Sequence, residues 1–295
     1  MPPTPTVRLA GGVAMPRVGL GTWPISNDDA PEIVAEAIGV GYRMIDTAYG
    51  YGNEEGVGAG VRAGGVPRDE VFITTKLNGE WHGYDEAHEA CHASAARLGV
   101  DYIDLYLIHW PLPSQDRYVD AWRGLIDLRG AGTVRAIGTS NFKPAHIDRL
   151  IAETGVPPEV NQVELNPIVS RAPTRSYHER HGIVTQSWSP LGLGVHRQLA
   201  LQADPGETDR TDAHNLLNDP AIAHIAQRHG RTPAQIVLAW HLELGLTAVP
   251  KTTSPERMAE NLDVFDVALT SDDVTAISAL DRGEDAAIDS DHTGH

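Results

Sequence analysis

The stretch RMIDTAYGYGNEEGVGAG, Arg43 to Gly60, decides the fold. It opens with an apolar run, YRMID at 42–46, that stops on an acid, as a buried strand does where it meets a polar loop. It closes with GVGAG at 56–60. In a doubly wound dinucleotide-binding sheet a glycine fingerprint lies in the first βα turn, directly after a strand. These glycines follow a loop instead, so the doubly wound reading fails here.

Working outward, seven further runs of the same kind appear: RVGLGTW near Val18, VFITTK at 71–76, IDLYLIHW at 103–110, VRAIGTSN at 134–141, EVNQVELN at 159–166, IVTQSWSP at 183–190 and LTAVPK at 246–251. Segments of helical periodicity separate them. NDDAPEIVAEAIGVG offers Asn27 or Asp28 as N-cap and Gly41 as terminator, and TPAQIVLAWHLELG offers Thr232 as cap with Pro233 in the first turn. Eight strand–helix units predict a single (β/α)8 barrel, and VRLAGGVAMPRV ahead of them predicts a β-hairpin turning at Gly11 and Gly12. No linker, repeat or low-complexity segment divides residues 1–295, so one domain is expected; 193–215 is a long insertion expected to lie over the barrel mouth.

The formal net charge of -17, from 40 acidic and 23 basic residues, argues against nucleic acid and anionic membrane surfaces as partners. A single cysteine, Cys91, excludes an internal disulfide framework, and no apolar stretch is long enough to cross a bilayer. A cytoplasmic location is expected.

Barrel enzymes work at the C-terminal ends of their strands. The polar residues there are Asp46, Lys76, His109, Ser140 with Asn141, Gln162, Trp188 and Lys251. One such residue would mean little, since every strand must end in something polar; a converging set means more. A tyrosine beside an ammonium is drawn toward its phenolate, and a lysine in the mouth needs an acid such as Asp46 as partner. Asp, Tyr, Lys and His together suit protonation of an alkoxide as it forms, half of a carbonyl reduction. No side chain donates the hydride that makes the other half.

IDTAYGYGNEEGVG, FITTKL, DLYLIHWP, IGTSNF, VNQVELNP, SWSPLG and VPKTTSPERMAENLDVFD together resemble the aldo-keto reductase superfamily, in particular bacterial 2,5-diketo-D-gluconate reductase-type enzymes, over about residues 7–281. The resemblance implies a catalytic tetrad of Asp46, Tyr51, Lys76 and His109, because the family's tyrosine follows its aspartate by five positions; Tyr49 then falls on a variable position. It implies NADPH as cofactor. Ser140, Asn141 and Gln162 would hold the nicotinamide carboxamide, Trp188 would stack on the ring, and Ser189, Leu191 and Gly192 would close over the pyrophosphate. Lys251, Thr252, Thr253 and Arg257 would take the 2'-phosphate, with Glu260 and Asn261 beside the adenine. Trp23 and Trp110, with Tyr51 and His109, would wall the slot for a small carbonyl substrate. Asn78 stands where close relatives have Trp, and 193–215 and the tail 282–295 correspond to variable regions that shape specificity. A monomer with no metal is expected.

Three other readings compete. HEACH, with His88, Glu89 and His92 at metallopeptidase spacing, suggests a zinc hydrolase but lies in an Ala-rich segment suited to an outer helix. Asp46 and Glu164 would serve as a glycosidase pair but leave Lys76, Ser140, Asn141 and Lys251 unexplained. A nucleotide-binding barrel without catalysis would have no use for Tyr51 beside Lys76. Cys91 reads as a small buried hydrophobe.

Overall fold

The computed structural model describes residues 4–192 and 216–294; the 193–215 insertion lies outside the described residues. Strands β1 (Thr6–Arg8) and β2 (Ala14–Pro16) pair antiparallel as the expected hairpin, turning where Gly12 takes a φ of 89°. The next eight strands are parallel and sequential: β3 (Leu20–Gly21), β4 (Met44–Asp46), β5 (Phe72–Leu77), β6 (Ile103–Ile108), β7 (Val134–Ser140), β8 (Val160–Glu164), β9 (Val184–Trp188) and β10 (Thr247–Val249). A parallel bridge between Val18 and Ala248, with Gly19 N–H donating to the Ala248 carbonyl at 2.9 Å, closes the ring. This is the (β/α)8 barrel that the strand spacing predicts.

Helices α1 (Ala30–Val40), α2 (Glu54–Ala63), α3 (Tyr84–Leu98), α4 (Tyr118–Gly130), α5 (Pro144–Thr154) and α6 (Ala172–His181) follow β3 to β8 in turn. Beyond β9 come α7 (Pro220–His229) and α8 (Pro233–Glu243), and beyond β10 come α9 (Pro255–Leu262) and α10 (Ser271–Ser278). Thr232 caps α8 with a full capping box, since its hydroxyl accepts from Gln235 N–H while the Gln235 side chain accepts from Thr232 N–H. At α1 the cap differs from expectation. Asp29 occupies the N-cap, bonded to Ser26 Oγ, while Asn27 Oδ1 accepts the N–H of Gly56 at 2.9 Å and ties α2 down.

The glycines of α2 now have a reason. A Cβ on Gly56 would come within 2.2 Å of the Asn27 carbonyl, and one on Gly58 within 1.9 Å of the Leu98 carbonyl. They allow α2 to nestle between its neighbours, with no phosphate involved.

Strand alternation sorts the side chains. Met44, Phe72, Leu105, Leu107, Ala136, Val160 and Val249 point inward and form one buried cluster with Leu9 and Met15 of the hairpin, which plugs the floor. Their neighbours Ile45, Ile73, Tyr106, Ile108 and Ile137 point outward under the helices. Further along the same inward rows the positions fall at the mouth. There stand Asp46 after Met44, His109 after Leu107, Gln162 after Val160, and Lys76 at the top of β5.

Candidate active site

Asp46 and Lys76 come from adjacent strands and are both buried, with Lys76 Nζ donating to Asp46 Oδ1 at 2.7 Å. The same ammonium donates to the Thr47 carbonyl at 2.9 Å and to Tyr51 Oη at 3.3 Å, and lies 5.0 Å from the Tyr51 ring centre. Buried charges of opposite sign in hydrogen-bond contact avoid the penalty that either would carry alone. The ring of His109 meets Tyr51 edge-on at 5.7 Å. The four tetrad side chains are therefore assembled around one point.

The question of two tyrosines resolves by position. Tyr49 and Tyr51 share one short 3-10 turn, yet Tyr49 lies under the Arg97 guanidinium at 5.0 Å and against Trp81, away from Lys76. The residues after Tyr51 hold its loop. Gly52 takes a left-handed φ of 67°; buried Asn53 accepts from Thr47 Oγ1 and donates to the carbonyls of Thr22 and Ile25. Glu54 is buried among Thr75, Ser94 and Arg97. The sequence reading used Asn53 and Glu54 only as motif markers and missed this bracing.

One expectation is corrected. Lys76 was expected to draw the Tyr51 phenol below its usual pKa, but burial dominates and pushes it up, with Lys76 opposing and Asp46 adding to the rise. Burial also works against the charge of Lys76, yet Asp46 and Tyr51 outweigh it and hold the ammonium above the ordinary lysine range. The phenol and the ammonium both stay protonated.

Asp46 is held on its second oxygen too, where Gln162 Nε2 donates at 2.6 Å; the same nitrogen reaches Gln186 Oε1 at 2.7 Å. Gln186, missed in the sequence, is legible afterwards as the inward position two residues before Trp188. Ser140 Oγ donates to the Gln162 carbonyl at 2.9 Å. Asn141, at a φ of 64°, donates to the His109 carbonyl, and its Oδ1 accepts the indole N–H of Trp188 at 2.8 Å. That bond orients the indole plane.

These residues line a cavity of about 800 Å³. Trp23, Tyr51, His109 and Trp110 line it, as do Ser140, Asn141, Gln162 and Trp188, then Ser189, Leu191 and Gly192, and also Lys251 and Arg257. Thr252, Thr253, Glu260 and Asn261 are not among the lining residues: Thr252 Oγ1 accepts from Ser254 N–H, and Asn261 is buried by Tyr42. Asn78 and Trp81 are outside the lining as well.

HEACH lies on α3, on the outside of the barrel, where His88 pairs with Asp127 at 3.3 Å and Glu89 and His92 are exposed. Among the described residues no three His, Cys, Asp or Glu side chains cluster to hold a metal ion, so the zinc reading lacks its third ligand. Cys91 is buried, and burial pushes its thiol up to about 12.

Comparison with known proteins agrees with the fold and the motif order. The chain is 46% identical over 283 residues to 2,5-diketo-D-gluconic acid reductase B of a Corynebacterium species, covering 96% of this chain and 95% of that protein. It is 44% identical over 289 residues to the Salmonella typhi protein named putative methylglyoxal reductase DkgA, covering 98% of each. Among solved structures, an aspartate-to-alanine mutant of Gox0644 in complex with NADPH superposes with a TM-score of 0.88 at 41% identity, covering 99% of both chains. The model of the Aldo/keto reductase family matches residues 16–282, and with these likenesses across nearly its whole length the chain belongs to that family.

Proposed function

We propose that this protein reduces aldehydes or ketones to alcohols with NADPH, acting on small dicarbonyl or sugar-derived substrates. The observation that carries the reading is a neutral phenol, Tyr51, 3.3 Å from a buried Lys76–Asp46 pair in the wall of a cavity that Lys251 and Arg257 also line. Those two cations suit the 2'-phosphate that distinguishes NADPH from NADH. Ser189 and Gly192, both at positive φ, shape the segment that would face the pyrophosphate, and the flat indole of Trp188 suits the nicotinamide. The names of the relatives support the dicarbonyl and sugar-derived classes.

Bound NADPH supplies the hydride. Tyr51 gives its proton to the alkoxide as it forms, and the transfer is favoured because an alkoxide is a stronger base than a phenolate. Lys76 stabilises the phenolate left behind, Asp46 and Gln162 hold Lys76 in register, and His109 orients the carbonyl. The aromatic walls Trp23 and Trp110 limit water around the reacting group. The reading takes the protein as a monomer in the cytoplasm, a reducing compartment that suits a chain whose single cysteine is a buried free thiol.

Titration with NADPH and NADH, followed by tryptophan fluorescence, and then turnover of a carbonyl panel tests this. Tight NADPH binding with reduction of at least one dicarbonyl is expected. Failure to bind either dinucleotide would refute it.

A further inference from the structure

Glu164 faces the barrel mouth and has no part in the mechanism above. On β8 it shares the inward parity of Gln162; it is fully buried and lines the cavity. Its two oxygens are unequal. Oε2 accepts the backbone N–H of Ile288, in the C-terminal tail, at 2.9 Å, whereas Oε1 is buried with no hydrogen-bond partner in the structure. Folded proteins seldom leave such an acceptor unmatched, and each instance calls for an explanation. Arg171 does not provide one, because its Nε donates to the backbone carbonyl of Glu164 and not to the carboxylate.

The surroundings indicate what would match it. Asn166, Ile168, Val169, Arg282 and Ala286 line the same arm of the cavity, whose walls are joined where Arg282 N–H donates to the Ile168 carbonyl at 2.9 Å. Asn166 Nδ2 makes only a long 3.5 Å contact to the Ser189 carbonyl. The arm thus presents one open acceptor beside amide and guanidinium donors. A hydroxyl, which donates and accepts at once, fits that arrangement; an ammonium would meet Arg171 and Arg282 and be repelled.

We propose that Glu164 Oε1 accepts a hydrogen bond from a hydroxyl of a molecule bound in the cavity, making Glu164, Asn166 and Arg282 a recognition arm for hydroxylated ligands. The inference rests on the reductase reading and deepens it: the hydroxyl belongs either to a hydroxylated carbonyl substrate or to a ribose of the cofactor.

Glu164→Gln separates these. Its amide oxygen must take the Ile288 N–H, which leaves an NH2 group facing the arm in place of a carboxylate oxygen. Charge-assisted hydrogen bonds are about twice as strong as neutral ones, so the loss should be about five- to tenfold. The readouts are the kcat/KM ratio for glyceraldehyde over propanal, which differ only in hydroxyls, and the Kd for NADPH. A five- to tenfold fall in the ratio with Kd unchanged assigns the hydroxyl to the substrate; a matching rise in Kd with the ratio unchanged assigns it to the cofactor. Glu164→Asp, which withdraws the carboxylate, should move the same readout in the same direction. If neither readout moves, Oε1 meets only water and the inference fails. It fails equally if Ile288→Pro, which removes the tail N–H and leaves the carboxylate in place, reproduces the effect, because Glu164 would then act through the tail. Absence of carbonyl turnover in the unmodified protein would sink the reductase reading itself, and this inference with it.

Discussion

Replacing Lys76 with Met removes a cation that contacts both Tyr51 and Asp46 while keeping the length of the side chain. With Nζ 3.3 Å from Tyr51 Oη, Coulomb's law at an effective dielectric constant of about 20 gives ~5 kcal/mol between an ammonium and a full phenolate. If half the charge has developed at the transition state, about 2.5 kcal/mol is lost, or roughly 60-fold in rate; full development would bring several thousandfold. The same change strands Asp46, buried and held only by Gln162, and breaking a buried pair from one side typically costs about 3–5 kcal/mol of stability. Low activity alone would therefore be ambiguous. The double variant Asp46→Asn with Lys76→Met removes both charges and should recover much of the lost stability in a urea melt. Single-turnover oxidation of NADPH by the double variant should remain at least about 60-fold slow. Recovery to more than about a tenth of the original rate would show that Lys76 acts only on the fold, and the role assigned to it in catalysis would be wrong.

Tyr51→Phe should lower kcat by about 100-fold or more with the Kd for NADPH nearly unchanged, since it removes the proton donor alone; a variant keeping over a tenth of its activity contradicts the assignment. Arg257→Ala should weaken NADPH about tenfold and leave NADH unaffected, by fluorescence titration; equal losses for both would remove the 2'-phosphate from this part of the cavity. His82, His178 and His241 are buried, and burial is the chief cause that pushes each imidazole from the ordinary 6.5 down to about 4. Between those values the unfolded chain binds protons that the folded chain refuses, so stability present above about 6.5 is lost as pH falls toward 4. The slope approaches ~4 kcal/mol per pH unit if all three titrate together. Urea midpoints should drop steadily from pH 7 to pH 5, and a flat profile would show that these imidazoles stay hydrated.

The barrel was legible because strand alternation and strand ends obey short-range rules: inward residues at the mouth lie an even number of positions past a floor residue, as Asp46 does past Met44 and Gln162 past Val160. The choice of Tyr51 over Tyr49 was not legible that way. The two share a turn, and what separates them is tertiary, Lys76 and His109 against Tyr51 and Arg97 and Trp81 against Tyr49, so the resemblance to a family had to supply the count from Asp46. The direction of the phenol's pKa was misjudged for a related reason. A sequence shows which charge is near, but the desolvation that outweighs Lys76 depends on how completely Tyr51 is enclosed. The cap of α1 went astray because Asn27, a good capping residue, was needed to hold Gly56, nearly thirty positions away.

The charge of the chain poses a last problem, since a protein at -17 should repel a cofactor that is itself a polyanion. Screening resolves it. At physiological salt the Debye length is about 8 Å, so the surface carboxylates contribute little inside the cavity and the local charges decide. Among the described lining residues those are Lys251, Arg257 and Arg282 against Asp46 and Glu164. Lys76 neutralises Asp46 at 2.7 Å, and Arg171, whose Nε donates to the Glu164 carbonyl, sets a cation beside the Glu164 carboxylate. What remains among the described lining residues is the positive charge of Lys251, Arg257 and Arg282, apart from a Tyr51, Lys76 and Asp46 cluster that is close to neutral. The first property favours a phosphorylated dinucleotide over its simpler form. The second keeps the Tyr51 proton available, because no uncompensated cation stands beside the phenol to draw it off before the carbonyl arrives.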